Sequence, residues 1–266
     1  MTDTRWKVAT FNANSIRVRL TQILDWLERT GVDVLAVQET KVQDESFPAE
    51  EIREAGLHVV YRGQKSHAGV AIISRSEPQE VRYGLGDGED EARLIRCVMD
   101  VGQGAKVALV NTYVPQGREM GSDEFQYKLR WLERLRELFD GEYAPDEHLL
   151  WVGDLNIVPE PIDVFEPERH EGHVDYNPEV REALAMVCDW GFVDVVRQQH
   201  PDEPNLYSYW DYRAKNPVAE HKGWRVDHIM ATEPLAEHCV AAWIDTEARL
   251  AERPSDHTFV VAEFEL

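Results

Sequence analysis

The stretch WVGDLNIVP, residues 151–159, is an apolar strand that meets a glycine and then sets Asp154 and Asn156 on either side of one leucine, ahead of a proline. Gly, Asp, Asn and Pro are turn formers, so in isolation the stretch reads as a buried strand closed by an Asx turn. The same pattern recurs outward in both directions. Short runs rich in Val and Ile, bounded by turn residues, appear as KVATFNA (7–13), VDVLAVQE (32–39), GVAIISR (69–75), LIRCVMDV (94–101), KVALVNTYV (106–114), HLLWVGDLN (148–156), WRVDHIMA (224–231) and HTFVVAEF (257–264). Their length and composition predict strands. Helical spacing occupies RVRLTQILDWLERTG (17–31), DEFQYKLRWLERLRELF (123–139) and NPEVREALAMVCDWG (177–191), the first and last of which finish at a glycine. Strands and helices in mixed order predict an α/β or α+β layered fold. No repeat, low-complexity tract or long Gly/Ser/Pro linker divides the 266 residues, so one domain over 1–266 is expected.

Composition narrows the class. Hydrophobic residues make up 43% of the chain, enough for a substantial core. No apolar run approaches the roughly 20 residues that cross a bilayer, and MTDTRWKVATF lacks the basic start and apolar centre of a signal segment. A soluble, cytoplasmic monomer is expected. Cys97, Cys188 and Cys239 are odd in number and sit in apolar surroundings, which argues against a disulfide framework or a zinc site. The 50 Asp and Glu against 28 Lys and Arg give a formal net charge of -22. Such a surface repels phosphate at long range, but a local cation or basic cleft can reverse that. Adaptation to high salt is one hypothesis for the excess acid.

The strand ends carry the chemistry. TFNAN ends in Asn12 and Asn14, AVQET in Gln38 and Glu39, VNTYVPQG holds Asn111 and Tyr113, WRVDH passes through Asp227, and PSDH supplies Asp256 and His257 ahead of the last strand. Each alone is a turn cap; converging on one rim, they would form an active site. Glu39, Asp154, Asp227 and Asp256 in one partly dry pocket require a cation or protonation to relieve their repulsion. Carboxylates and amides with one imidazole and no thiolate favour Mg²⁺ or Mn²⁺ over Zn²⁺, and Mg²⁺ points to a phosphate ester as substrate. No GxSxG elbow, GxxxxGK[ST] loop or GxGxxG turn offers another chemistry.

The ordered series TFNANSIR, AVQETK, GQKSHAGVAI, NTYVPQG, VGDLNIVP, YWDYR, GWRVDHIM and PSDH resembles the exonuclease III family of AP endonucleases, within the DNase I-like metal-dependent phosphoesterases, from about Lys7 to about Phe264. The resemblance implies a four-layered αββα sandwich of two mixed β-sheets flanked by helices, with the site at one end. It implies Tyr113, Asp154, Asn156, Asp227 and His257 as catalytic residues. Asp154 would be the general base, Asn156 a hydrogen-bond donor, His257 the stabiliser of phosphoryl charge held by Asp227, and Tyr113 a partner of the scissile phosphate. It implies a cation at Glu39 within a set formed by Asn12, Asp154, Asn156, Asp256 and His257, with Asn14 alongside. Tyr209, Trp210 and Trp224 match positions that wall a pocket for a flipped, baseless sugar.

The implied activity is cleavage of double-stranded DNA 5′ to abasic sites, with 3′-5′ exonuclease action and 3′-end cleaning. A phosphoesterase on a non-DNA substrate and a catalytically silent nucleic-acid-binding regulator are the alternatives, the second disfavoured because the acidic residues are intact. The sequence departs from the family pattern at Ser15, where glycine is usual, at Tyr209, usually Trp or Phe, and in the acidic, histidine-containing stretch IDVFEPERHEGHVDYN (162–177). Arg17, Arg19, Lys41, Lys65, Arg118, Arg213 and Arg225 are the candidate phosphate contacts.

Overall fold

Two parallel strand pairs organise the molecule, and each needs a crossover long enough to carry the chain back over the sheet. In a computed structural model that describes residues 5–65, 67–86, 88 and 92–266, β1 (Arg5–Asn12) runs parallel to β2 (Val34–Gln38) with α1 (Ile16–Thr30) as the crossover. Around them lie α2 (Ala49–Glu54), β3 (His58–Arg62), β4 (Val70–Ser74), β5 (Gln79–Tyr83) and β6 (Leu94–Gly102). The second pair is β7 (Ala105–Tyr113) and β8 (Leu149–Asp154), joined through α3 (Asp123–Glu142). Then follow α4 (Pro167–His170), α5 (Pro178–Cys188), β9 (Phe192–Asp194), α6 (Val195–Gln199), β10 (Asp227–Thr232), α7 (Glu233–Ala236), β11 (Cys239–Asp245) and β12 (Phe259–Glu265). The strands form two mixed six-stranded sheets, ordered β11-β12-β1-β2-β4-β3 and β5-β6-β7-β8-β10-β9.

The sheets face each other across a shared core. Val8, Ala36, Ile72 and Val260 of the first sheet pack with Met99, Leu109, Leu150 and Ile229 of the second. Alternate residues of the same strands point outward to the helices, because strand side chains alternate faces. Phe11, Leu35 and Phe259 meet Ile23, Trp26 and Leu27 of α1, with Trp26 and Phe259 stacked at 3.9 Å between ring centroids. Val110, Leu149 and Trp151 meet Phe125, Leu132 and Phe139 of α3 and Val180 and Leu184 of α5. The result is the expected four-layered αββα sandwich. Ser122 and Asn177 cap α3 and α5 through their side chains, and Gly31 closes α1 in the left-handed region at φ 65°.

Gly153, in the middle of the opening stretch, is forced by this packing. A Cβ there would stand 1.9 Å from the Thr112 carbonyl oxygen of the parallel neighbour, and its φ is 141°. Glycine therefore lets β8 lie against β7 one residue before Asp154. The cysteines are unpaired, two of them buried, and burial pushes the Cys97 and Cys188 thiols up to about 12. Among the described residues no helix is long and apolar enough to cross a membrane.

Candidate active site

The carboxyl ends of all four parallel strands lie on one rim: Asn12 ends β1, Glu39 follows β2, Tyr113 ends β7 and Asp154 ends β8. The antiparallel strands bring their starts to the same rim. Asp227 opens β10 opposite Asp154 in the register, and His257 lies two residues ahead of β12. Two other polar strand-end residues serve the scaffold. The Gln38 amide donates to Asn111 Oδ1 at 2.7 Å, while the Asn111 amide donates to the Val37 and Ala71 carbonyls. This pair cross-links the two sheets beneath the rim.

Asp154 is the hub. Its Oδ1 accepts the Asn156 backbone N–H at 2.9 Å, the Asx turn read from the sequence, and its Oδ2 accepts the Asn12 amide at 2.7 Å. The same Asn12 amide nitrogen donates to Glu39 Oε1 at 2.7 Å, tying the two carboxylates together. His257 Nδ1 donates to Asp227 Oδ2 at 2.8 Å, and Nε2 lies 3.9 Å from Asp154 Oδ2. Burial raises the Asp154 carboxyl well above the usual carboxylate range, against the opposing pull of His257, so it is a stronger base than an exposed carboxylate. Burial alone would lower the His257 imidazole, but the Asp227 and Asp154 carboxylates beside it outweigh that and raise it. Burial, with Glu39 and Asp154 nearby, lifts the Tyr113 phenol well above its ordinary range, which keeps it protonated and a donor. Asn156 is held in the left-handed region at φ 49°, and its amide donates to the Val114 carbonyl at 3.0 Å.

Glu39, Asp154 and His257 each offer one ligand atom within 4.8 Å of the others. Asp227 Oδ1 is buried without a hydrogen-bond partner. A hard divalent cation fits this oxygen-rich, thiolate-free donor set. The rest of the sequence-derived set is arranged around it. Asn12 links two of the carboxylates. Asp256 stands one step away, accepting the Asn14 amide at 2.8 Å, and Asn14 in turn accepts from Lys41 Nζ at 2.6 Å. Lys41 also pairs with Glu39 Oε2 at 2.6 Å, so this candidate phosphate contact is engaged within the site.

The rim opens into a cavity of about 570 Å³ whose walls include Glu39, Tyr113, Asn156, Asp256 and His257 together with Phe165, Tyr209 and Trp224. Tyr209 and Trp224 pair backbone to backbone at 2.9 Å in both directions, and the Tyr209 ring lies 4.9 Å from His257. His170 and His173, from the stretch that departs from the family pattern, each bring a ring to 4.7 Å from Trp224. Trp210 is not among the lining residues. It is 2% exposed, and a Cβ on Gly223 would come within 2.6 Å of its indole nitrogen, so it supports the wall from within the core.

Arg225 is likewise not a phosphate contact. It is fully buried, bidentate to Asp163 at 2.7 and 2.8 Å and bonded to Asp194 at 2.5 Å. Burial of such a cation is tolerated because its donors are satisfied. Arg213 lines the cavity but pairs with Asp211, and Arg118 is on the surface with Glu124. Sequence reading also passed over Lys128, Asp175 and Gln116. Lys128 is 0% exposed, with its Nζ 2.6 Å from the Asn156 carbonyl and 2.8 Å from Asp175. A lysine on the apolar stripe of DEFQYKLRWL was the available signal.

Residues 9–257 match the endonuclease/exonuclease/phosphatase family. Exodeoxyribonuclease III from Haemophilus influenzae is 33% identical, over 97% of this chain and 99% of its own. An AP endonuclease from Archaeoglobus fulgidus has a solved structure 44% identical with a TM-score of 0.94, covering 98% of this chain and 100% of its own. A 3′ phosphatase, NExo, from Neisseria, solved bound to a product DNA hairpin, is 34% identical with a TM-score of 0.90 and the same coverage.

Proposed function

Because the chain belongs to the endonuclease/exonuclease/phosphatase family, we propose that it is a phosphodiester hydrolase of double-stranded DNA that cuts 5′ to abasic sites, degrades duplexes from the 3′ end and clears 3′ blocking groups. The observation that carries this reading is the line Asp227, His257, Asp154, set at 2.8 and 3.9 Å, in which the two carboxylates are buried and His257 lines one cavity with Glu39 and Asn156.

Each residue has a task that its surroundings support. Asp154, made more basic by burial, takes a proton from the attacking water. Asn156 spends one amide hydrogen on the Val114 carbonyl, leaving the other for a phosphoryl oxygen. Asp227 fixes the ring of His257 through Nδ1, so Nε2–H faces the substrate as an imidazolium donor where negative charge develops. Tyr113, kept as a phenol, donates to the phosphate. Glu39 would hold Mg²⁺ or Mn²⁺ with Asp154 beside it, while His257, kept as an imidazolium, stands within reach as a donor rather than a ligand. When bound, the cation supplies charge neutralisation at the phosphate and at the leaving 3′ oxygen. Tyr209, Trp224 and Val226 line the part of the cavity that receives a baseless sugar and excludes an intact base. The proposal takes the chain as a single-domain monomer acting in the cytoplasm.

Three matched duplexes test the reading: one with an abasic analogue, one intact with a recessed 3′ end and one blunt, each with Mg²⁺, with Mn²⁺ and with chelator. Incision 5′ to the abasic site and 3′ resection, both stopped by chelator, are expected. Cleavage that persists in chelator removes the cation, and inertness toward all three duplexes removes DNA as substrate.

A further inference from the structure

We propose that Lys128 is a positioning residue of the nuclease site: its ammonium fixes the Asn156 peptide and ties the loops that carry Gln116 and Asp175 to it, so that one buried cation sets the orientation of Asn156 toward the scissile phosphate. The proposal rests on the nuclease reading for what Asn156 does, and on geometry alone for what Lys128 does.

Lys128 occupies the face of α3 that also buries Phe125, Trp131, Leu132 and Leu135, where packing alone would select an aliphatic side chain. Burying an ammonium costs several kcal/mol unless its hydrogens are satisfied. Here four acceptors surround it: the carbonyls of Asn156 at 2.6 Å, Gln116 at 3.2 Å and Val174 at 3.5 Å, and Asp175 Oδ1 at 2.8 Å. These belong to three separate segments, following β7, following β8 and preceding α5. Gln116, Asn156 and Asp175 all line the cavity. The Gln116 amide also reaches Asp175 Oδ2 at 3.3 Å, closing the cluster. Gly117 makes room for it, since a Cβ there would press on the Lys128 stem at 3.1 Å and on Val174 at 3.0 Å.

Asn156 needs such a restraint. Its backbone sits at φ 49°, a conformation that a free Asn does not hold uniquely. Its N–H is held by Asp154, its side-chain amide by Val114 and its carbonyl by Lys128. Only the last of these ties its carbonyl to the helical layer, so loss of the ammonium frees the peptide to rotate and takes the donor out of line. A misplacement of about 1 Å in a positioned donor costs on the order of 10²-fold in rate.

The test is a cycle of Lys128→Met and Asn156→Ala, with kcat and KM measured on the abasic duplex. Lys128→Met is expected to lower kcat at least ~10-fold with KM changed less than ~3-fold, and to lower kcat less than ~2-fold once Asn156 is alanine. Equal factors in both backgrounds, or a change confined to KM, overturn the inference. If Lys128→Met does not fold, Lys128→Met combined with Asp175→Asn, which removes the buried carboxylate left unpaired and restores no ammonium to the Asn156 carbonyl, enters the same cycle under the same criteria. An independent readout needs no turnover. In ¹⁵N-labelled protein, the side-chain amide signals of Asn156, identified by their loss in Asn156→Ala, should move or broaden in the Lys128 variant. Unchanged signals overturn the inference even if no duplex is cut, whereas inert wild-type protein with moved signals defeats the nuclease reading alone.

Discussion

Asp154 shows how one residue acquires its chemistry from its neighbours. Its carboxylate is buried, accepts the Asn156 N–H and the Asn12 amide, and has His257 Nε2 at 3.9 Å. Asp154→Asn keeps the shape and removes the basic oxygen, so kcat on the abasic duplex should fall by at least ~10² with little change in melting temperature; near-normal turnover would take the general-base role away. Ser15 is a residue of the opposite kind, strained without an evident return. It stands at φ 99° with no side-chain capping hydrogen bond, in the place where the family pattern has glycine. Relief of that backbone strain exceeds the entropy that glycine loses on folding, so Ser15→Gly should stabilise the protein by about 1 kcal/mol in urea unfolding. An unchanged or lower midpoint would mean that the turn is not strained. Asp154, His257 and Glu39 stood out because polar strand ends, each alone a turn cap, recur along the chain, and the fold brings these three within 4.8 Å of one another. Trp210 and Arg225 were misread because a motif gives residue type and order, while burial depends on which side of the chain faces the core.

At the scale of elements, the eight strands read from apolar runs are present, and the four that were missed are β3, β5, β9 and β11. These are the four edges of the two sheets. A central strand is covered on both faces and must be continuously apolar, whereas an edge strand carries exposed and polar positions, as QEVRY in β5 does. The β9 to α6 junction shows what such an edge can hold. Asp194 caps α6, its Oδ1 accepting the N–H groups of Val196 and Arg197, and its Oδ2 receives Arg225. Burial would raise its carboxyl, but Arg225 and His228 hold it well below the usual range. Such a group binds no proton in the folded protein at a pH where the unfolded chain, near pKa ~3.9, does. Its stabilising contribution is therefore full above that value and is lost as pH falls through it toward the lower folded value. Asp194→Asn keeps a good capping side chain but removes the charge. The variant should be less stable at pH 7 and lose less stability per pH unit below pH ~4 than the parent, measured by urea unfolding at each pH. Parallel curves for the two proteins would exclude Asp194 as a source of acid sensitivity.

For the whole molecule, the net charge of -22 is the dominant electrostatic fact. A few of those acids are needed at the rim, where Glu39 and Asp154 face a common point; most of the rest lie on the surface, where they repel one another. Raising ionic strength shortens the screening length from about 10 Å at 0.1 M to about 3 Å at 1 M. The melting temperature should therefore rise between 0.1 and 1 M KCl, and a fall would refute repulsion as a limit on stability.

The sequence by itself determined the order of the eight central strands and the three long helices, the four layers through its resemblance, and the set of residue types able to hold a cation and activate water. Those follow from local periodicity and from the few side chains that can do such chemistry. Tertiary structure alone decided which of them meet. It carried Gln38 and Asn111 inward as a cross-link between sheets, sent Arg225 and Trp210 into the interior, and brought Lys128 from the middle of an ordinary-looking helix to the back of Asn156. The physical reason is that a strand end or helix position fixes a residue's direction only relative to its own element. The packing of two sheets and three loops fixes what that direction points at.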